Sequence, residues 1–115
     1  MWEVEYTDRF ETWWNSMSVD EQRHLAASVE LLQEYGPGLG RPAVDTIASS
    51  RHANMKELRA GTTRTLFVFD PLRNAILLLG GDKSGKWNDW YKTAVPDADD
   101  LYDAHLETLK KEGLI

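Results

Sequence analysis

Met55-Lys56-Glu57-Leu58-Arg59-Ala60-Gly61-Thr62-Thr63-Arg64-Thr65-Leu66-Phe67-Val68-Phe69-Asp70-Pro71-Leu72-Arg73-Asn74-Ala75-Ile76-Leu77-Leu78-Leu79 is the stretch on which the fold turns. It holds three short runs punctuated by two turn signals. Met55–Ala60 alternates, so Lys56 and Leu58 face one side of a strand while Glu57 and Arg59 face the other. Gly61-Thr62 makes a turn, Thr63–Asp70 a second strand, and Pro71-Leu72-Arg73-Asn74 the next turn. Ala75–Leu79 is wholly apolar, the composition of a central strand covered on both faces. The three runs predict an antiparallel meander.

The flanks supply its cover. Trp2, Val4 and Tyr6 alternate with Glu3 and Glu5, which predicts a strand that pairs with the meander's edge. From Asp8 the apolar residues Phe10, Trp13, Trp14 and Met17 fall at helical spacing. Ser18-Val19-Asp20-Glu21 is a capping box that starts a second helix with Leu25, Val29 and Leu32 along its buried stripe, and Gly36-Pro37-Gly38 stops it. The two helices form a hairpin. Residues 36–54 read as a loop. After Gly80-Gly81, Trp87, Trp90, Tyr91 and Ala94 are again helical; Pro96 interrupts, and Asp97 can cap a further helix through Leu101, Tyr102, His105, Leu106 and Leu109. The expected architecture is α+β: a small, mostly antiparallel sheet (N-terminal strand plus three-stranded meander) packed with an N-terminal helical hairpin and C-terminal helices, in one domain over residues 1–115.

Composition narrows the function classes. At 115 residues, 42% of them hydrophobic and five of them Trp, the chain has room for one core. It has no cysteine, which removes disulfides, thiolate metal sites and a Cys nucleophile. No apolar run approaches the roughly 20 residues that span a bilayer, and the acidic, alternating N-terminus is unlike a secretory signal, so a cytoplasmic protein without membrane association is expected. Net charge is −6, but it is unevenly spread. Residues 1–40 carry eight acidic and two basic groups. Residues 41–92 carry nine basic groups (Arg41, Arg51, Lys56, Arg59, Arg64, Arg73, Lys83, Lys86 and Lys92) against five acidic ones, and residues 93–115 are acidic again. A basic middle can still bind phosphate.

Most motif readings fail on a specific residue. Gly80-Gly81-Asp82-Lys83-Ser84-Gly85-Lys86-Trp87 nearly matches a phosphate-binding loop, but Trp87 stands where Ser or Thr must bind magnesium. His24, His52 and His105 have no metal-ligand spacing, and Ser49, Ser50 and Ser84 lack a nucleophile elbow. The cations are the sharper signal. Arg64 shares a strand face with Leu66 and Val68, Lys83 and Lys86 follow the last strand, and Trp87 and Tyr91 could offer flat rings nearby. Cations beside aromatic planes suit single-stranded RNA, which needs phosphate neutralised and bases stacked. The plainer reading of the same residues is a solvated sheet face with ordinary ion pairs, such as Glu57 with Arg64.

Three segments together resemble the HigB-like branch of the RelE/ParE toxins: Gly40-Arg41-Pro42-Ala43-Val44-Asp45, then Asn54-Met55-Lys56-Glu57-Leu58-Arg59, then Leu66-Phe67-Val68-Phe69-Asp70-Pro71 with Ala75-Ile76-Leu77-Leu78-Leu79-Gly80-Gly81-Asp82-Lys83. The N-terminal aromatic strand and the Trp-rich helix after Lys83 fit the same branch. The resemblance implies a RelE-like fold and the toxin of a type II toxin–antitoxin system. It implies a ribosome-dependent mRNA endonuclease that uses no metal or cofactor and attacks phosphate with a ribose 2′-hydroxyl. The implied partners are a cognate antitoxin, often a helix-turn-helix DNA-binding protein, together with the ribosome and mRNA. Transferred by position, Arg64 would clamp the scissile phosphate and Lys83 would be a second phosphate contact or proton donor. Arg59, with Lys56, would bind flanking RNA or the ribosome, and Tyr91, or Trp87 in its place, would stack on a base. Lys56, Lys86, Arg73 and His52 are the further RNA-binding candidates. Two other readings stay open on the same fold: a gyrase-inhibiting toxin and a non-catalytic interaction module.

Overall fold

The computed structural model describes residues 1–82 and 87–115. Five strands form one sheet in the order β1-β5-β4-β3-β2, with β1 Val4–Tyr6, β2 Val44–Thr46, β3 Lys56–Ala60, β4 Thr63–Phe69 and β5 Ala75–Asp82. β3, β4 and β5 are the antiparallel meander expected from the central stretch. β1 adds to its β5 edge in parallel, Val4 opposite Ala75 and Tyr6 opposite Leu77, which makes the sheet mixed. Among the described residues this ladder alone is parallel, so the sheet remains mostly antiparallel.

Helices cover both faces, as the wholly apolar run Ala75–Leu79 of β5 requires. On one side lie α1, Asp8–Ser16, and α2, Val19–Tyr35. Thr7 caps α1 by accepting from the Phe10 amide, and the Ser18–Glu21 box caps α2 with both reciprocal bonds formed. Phe10, Leu25 and Leu32 meet Val44, Leu58, Phe67 and Leu77 there. On the other side α3, Trp87–Lys111, lays Ala94, Val95, Ala98 and Tyr102 on Met55, Leu66, Val68, Ile76 and Leu78.

Three elements depart from the sequence reading. The loop expected over 36–54 contains β2, which pairs antiparallel with β3 (Val44 opposite Leu58, Thr46 opposite Lys56). Three residues are too few for a period of two to register. The two expected C-terminal helices are one, since α3 runs through Pro96. Proline removes the N–H that would bond the carbonyl four residues back, but Pro96 is exposed while Ala94, Val95 and Ala98 around it are buried against the sheet, so packing holds the helix through the break. Asp97 is not a cap; its carboxylate accepts from Arg9 Nη1 at 3.0 Å. Finally, β5 continues through Gly80 and Gly81 to Asp82, so the start of the near-match phosphate loop is strand. A Cβ on Gly80 would lie 2.2 Å from the Trp13 ring, and one on Gly81 2.4 Å from the Trp90 Nε1. Each glycine is a flat berth for an indole, one on either face of β5.

Candidate nucleic-acid interface

β3 and β4 place Arg59 and Arg64 directly opposite each other, on the face covered by α3. That face carries Glu57 and Arg59 from β3, as the alternation in the sequence required. Glu57 and Arg64 are buried there, 5% and 8% exposed, while Arg59 is half-buried. Glu57 is the hub. Its Oε2 accepts from Arg59 Nη2 at 3.0 Å and Nε at 3.3 Å, and its Oε1 accepts from the Tyr91 hydroxyl in a short hydrogen bond. Asp45, on β2, takes a second bond from Arg59 Nη2 at 3.2 Å. Arg64 Nη1 donates to the carbonyls of Gly61 (3.0 Å) and Thr63 (2.8 Å), which bends the guanidinium over the β3–β4 turn.

The electrostatics follow from that packing. Tyr91 is pushed well above the usual phenol range, first by burial, then by its bond to the Glu57 carboxylate and that carboxylate's charge. Arg64 and Arg59 pull it the other way, which puts both cations within electrostatic reach of the ring oxygen. Asp45 is held below the ordinary carboxylate range by the Thr46 amide first and then by Arg41, with Arg59 adding to it. The cluster sets two guanidiniums, Arg59 and Arg64, beside two carboxylates, Glu57 and Asp45. The Tyr91 hydroxyl keeps its proton and donates it to Glu57 in a hydrogen bond, so it could give that proton up only while receiving another.

The structure brings together three of the residues singled out in the sequence: Arg59, Arg64 and Tyr91. Lys56 lies on the opposite face of β3, toward α1 and α2. His52 bonds through Nε2 to Asp103 at 2.8 Å and lies edge-on to Tyr102. Twelve residues of helix separate Asp103 from Tyr91, about 18 Å at the α-helical rise. Arg73 sits in the β4–β5 turn with φ 68°, its guanidinium 5.1 Å from the centre of the Trp2 ring. That turn lies beyond the far end of β4, roughly 17 Å along the strand from Arg64. Lys83 and Lys86 lie outside the described residues, as does the side chain of Trp87, whose backbone opens α3. Glu57 and Asp45 were not singled out as functional. The plainer reading paired Glu57 with Arg64, whereas its bonds run to Arg59 and Tyr91. Their signal was a carboxylate two residues from Arg59 on the same strand face, and an Asp on a strand too short to recognise.

Among the described residues no three His, Asp or Glu side chains converge as metal ligands, and no described helix is long and apolar enough to cross a membrane.

The family model for Phage derived protein Gp49-like (DUF891) matches residues 12–103, which include α2, parts of α1 and α3, β2 to β5 and the whole cluster. The chain belongs to this family. The Gp49-like chain is 50% identical over 91 residues to the putative toxin HigB3 of Mycobacterium tuberculosis (strain ATCC 25618 / H37Rv), covering 77% of this chain and 80% of that relative. It is 43% identical over 104 residues to the putative toxin HigB2 of the same organism, covering 86% of this chain and 52% of the relative. The match thus spans about half the length of HigB2. Among solved structures, the archaeal RelE–RelB complex from Pyrococcus horikoshii OT3 superposes with a TM-score of 0.60 over 74% of this chain and 98% of that one, at 13% identity. At that identity the superposition establishes the RelE fold. The HigB-like resemblance read from three segments therefore stands through these HigB-named relatives, and the expected RelE-like fold through the superposition.

Proposed function

We propose that this Gp49-like chain is the toxin of a toxin–antitoxin pair and that it cleaves messenger RNA on the ribosome. The observation that carries the reading is the cross-strand pair Arg59–Arg64 beside the Tyr91–Glu57 hydrogen bond. Two guanidiniums on one face match the second negative charge that a phosphodiester gains when it is attacked, and their planar donor geometry suits its oxygens. In the reaction, a ribose 2′-hydroxyl attacks the adjacent phosphorus and the P–O5′ bond breaks, leaving a 2′,3′-cyclic phosphate and a 5′-hydroxyl. The 2′-hydroxyl proton passes to the Tyr91 oxygen as the Tyr91 proton moves to Glu57. Arg64 and Arg59 stabilise the charge that develops on the equatorial oxygens. Lys83 protonates the departing 5′-oxygen. The HigB-named relatives and the antitoxin-bound RelE neighbour support the toxin assignment and an antitoxin partner, here expected to be a helix-turn-helix DNA-binding protein.

One feature favours a second reading. Arg59 is held by two carboxylates, the ordinary state of a structural ion pair, and this suits a non-catalytic interaction module on the same fold. Inducing the chain in cells and mapping transcript 5′ ends separates the two. The endonuclease produces new ends inside translated reading frames and none in untranslated RNA, whereas the module produces none in either. DNA breaks without new RNA ends would instead indicate the gyrase-inhibiting class.

A further inference from the structure

A concave surface lies away from the arginine pair, on the α1–α2 side of the sheet. Val4, Tyr6, Phe10, Trp14, Val29 and Leu77 line a groove of about 710 Å³ between β1 and the helical hairpin. Tyr6 is 57% exposed although its ring lies 6.0 Å from that of Phe10. The ionisable groups in its walls are all acidic apart from the Tyr6 phenol. Glu11 and Glu30 line the groove itself, and a smaller depression sharing Glu30 and Gln33 adds Glu34. The groove also runs along β1, the last strand of the sheet, whose outer side faces no other strand among the described residues. An apolar floor, an acidic rim and a sheet edge are three properties that a single kind of occupant satisfies.

We propose that this groove is the docking site for a segment of the partner protein in which apolar side chains alternate or interleave with Lys and Arg. The apolar side chains cover Val4, Tyr6, Phe10 and Val29, and the cations reach Glu11, Glu30 and Glu34. A second copy of this chain is disfavoured, because a symmetric pairing through this surface would set one acidic rim against another. The identification of the partner as an antitoxin rests on the function proposed above; the groove and its charge do not. The site lies on the other side of the sheet from Arg59 and Arg64, so docking and RNA chemistry are separable by mutation.

The test uses the full chain, labelled with nitrogen-15, and two synthetic probes: a twelve-residue peptide of Leu and Lys and its Leu and Glu counterpart. The Leu–Lys peptide is expected to bind with amide shift changes concentrated at Tyr6, Phe10, Trp14 and Val29, and the Leu–Glu peptide not to bind there. Glu30→Lys with Glu34→Lys, both exposed and outside the core, is expected to weaken the Leu–Lys peptide by about tenfold without altering the melting temperature. Shifts centred on the acidic α3 segment Asp97–Asp103, or undiminished binding by the double variant, would overturn the proposal. So would concentration-dependent dimerisation that perturbs the same four residues, because the groove would then be a self-contact. None of these readouts depends on RNA cleavage, so failure here and failure of the endonuclease reading are distinguishable.

Discussion

Arg59 and Arg64 are Cα partners across the β3–β4 ladder, two like charges set directly opposite on one face of a sheet. Such a pair is destabilising in isolation. It persists here because Glu57 lies on the same face and bonds to Arg59, while Arg64 turns to the carbonyls of its own hairpin. Arg64 is buried and donates to two carbonyls of its own hairpin, and a glutamine at this position keeps an amide donor for them while removing the charge. Arg64→Gln is therefore expected to keep the fold, with a melting temperature within a few degrees of the parent, while RNA cleavage falls about 10²–10³-fold, the usual loss when one transition-state contact is removed. Circular dichroism melts and a cleavage assay on the same sample check both halves.

Glu57 orients Tyr91, so Tyr91→Phe removes a proton path and an alkaline transition together. Its pKa is raised in the folded chain, hence the native state keeps the phenol proton at a pH where the unfolded chain has released it. Stability from this group is complete below the ordinary phenol value near 10 and declines as pH rises above it. A series of urea melts between pH 8 and 11 should show a steeper alkaline loss for the parent than for Tyr91→Phe. Equal slopes would mean that the phenol is not held as described.

The glycines under the two indoles give a paired experiment. Gly80→Ala and Gly81→Ala both force a methyl into a ring, and each is expected to cost about 1–3 kcal/mol by overpacking. Only Gly81→Ala displaces Trp90, which neighbours Tyr91 in α3 and packs edge-on to it at 5.0 Å. Cleavage should therefore suffer beyond the stability loss in Gly81→Ala and not in Gly80→Ala, measured at a temperature where both variants are folded.

Thr65 is fully buried, and its hydroxyl has no hydrogen-bond partner among the described residues. Thr65→Val keeps the shape and removes the unsatisfied group, so it should raise stability by about 1–2 kcal/mol in denaturant melts. Leu25→Ala, on the opposite wall of the same layer, should lower it by about 2–5 kcal/mol, and neither should alter the chemistry of the arginine pair.

The meander, the helical hairpin and the facing of Glu57 with Arg59 were legible because periods of two and of 3.6 are written directly into residues 1–35 and 55–79. The parallel docking of β1 and the presence of β2 were not, because three-residue strands carry no period and their partners lie far away in sequence. Pro96 misled for a physical reason: local backbone preference argued for a stop, and burial of Ala94, Val95 and Ala98 outweighed it. In the site, cations announced themselves as residues, but their counter-charges did not. Nothing along the chain distinguishes Glu57 from an acid on a solvated face until α3 lies over it and brings Tyr91 to its carboxylate. Nor does a basic segment reveal that Lys56, Arg73 and His52 lie apart from Arg64.

The measurement that bears most directly on the central claim is cleavage of a defined, ribosome-bound message in a purified translation system, comparing the parent chain with Arg64→Gln and Glu57→Gln. The parent is expected to cut the translated message, leaving a 2′,3′-cyclic phosphate, and both folded variants to cut at least about a hundredfold more slowly. Equal cutting by all three proteins, or an intact message with the folded parent, would contradict that claim.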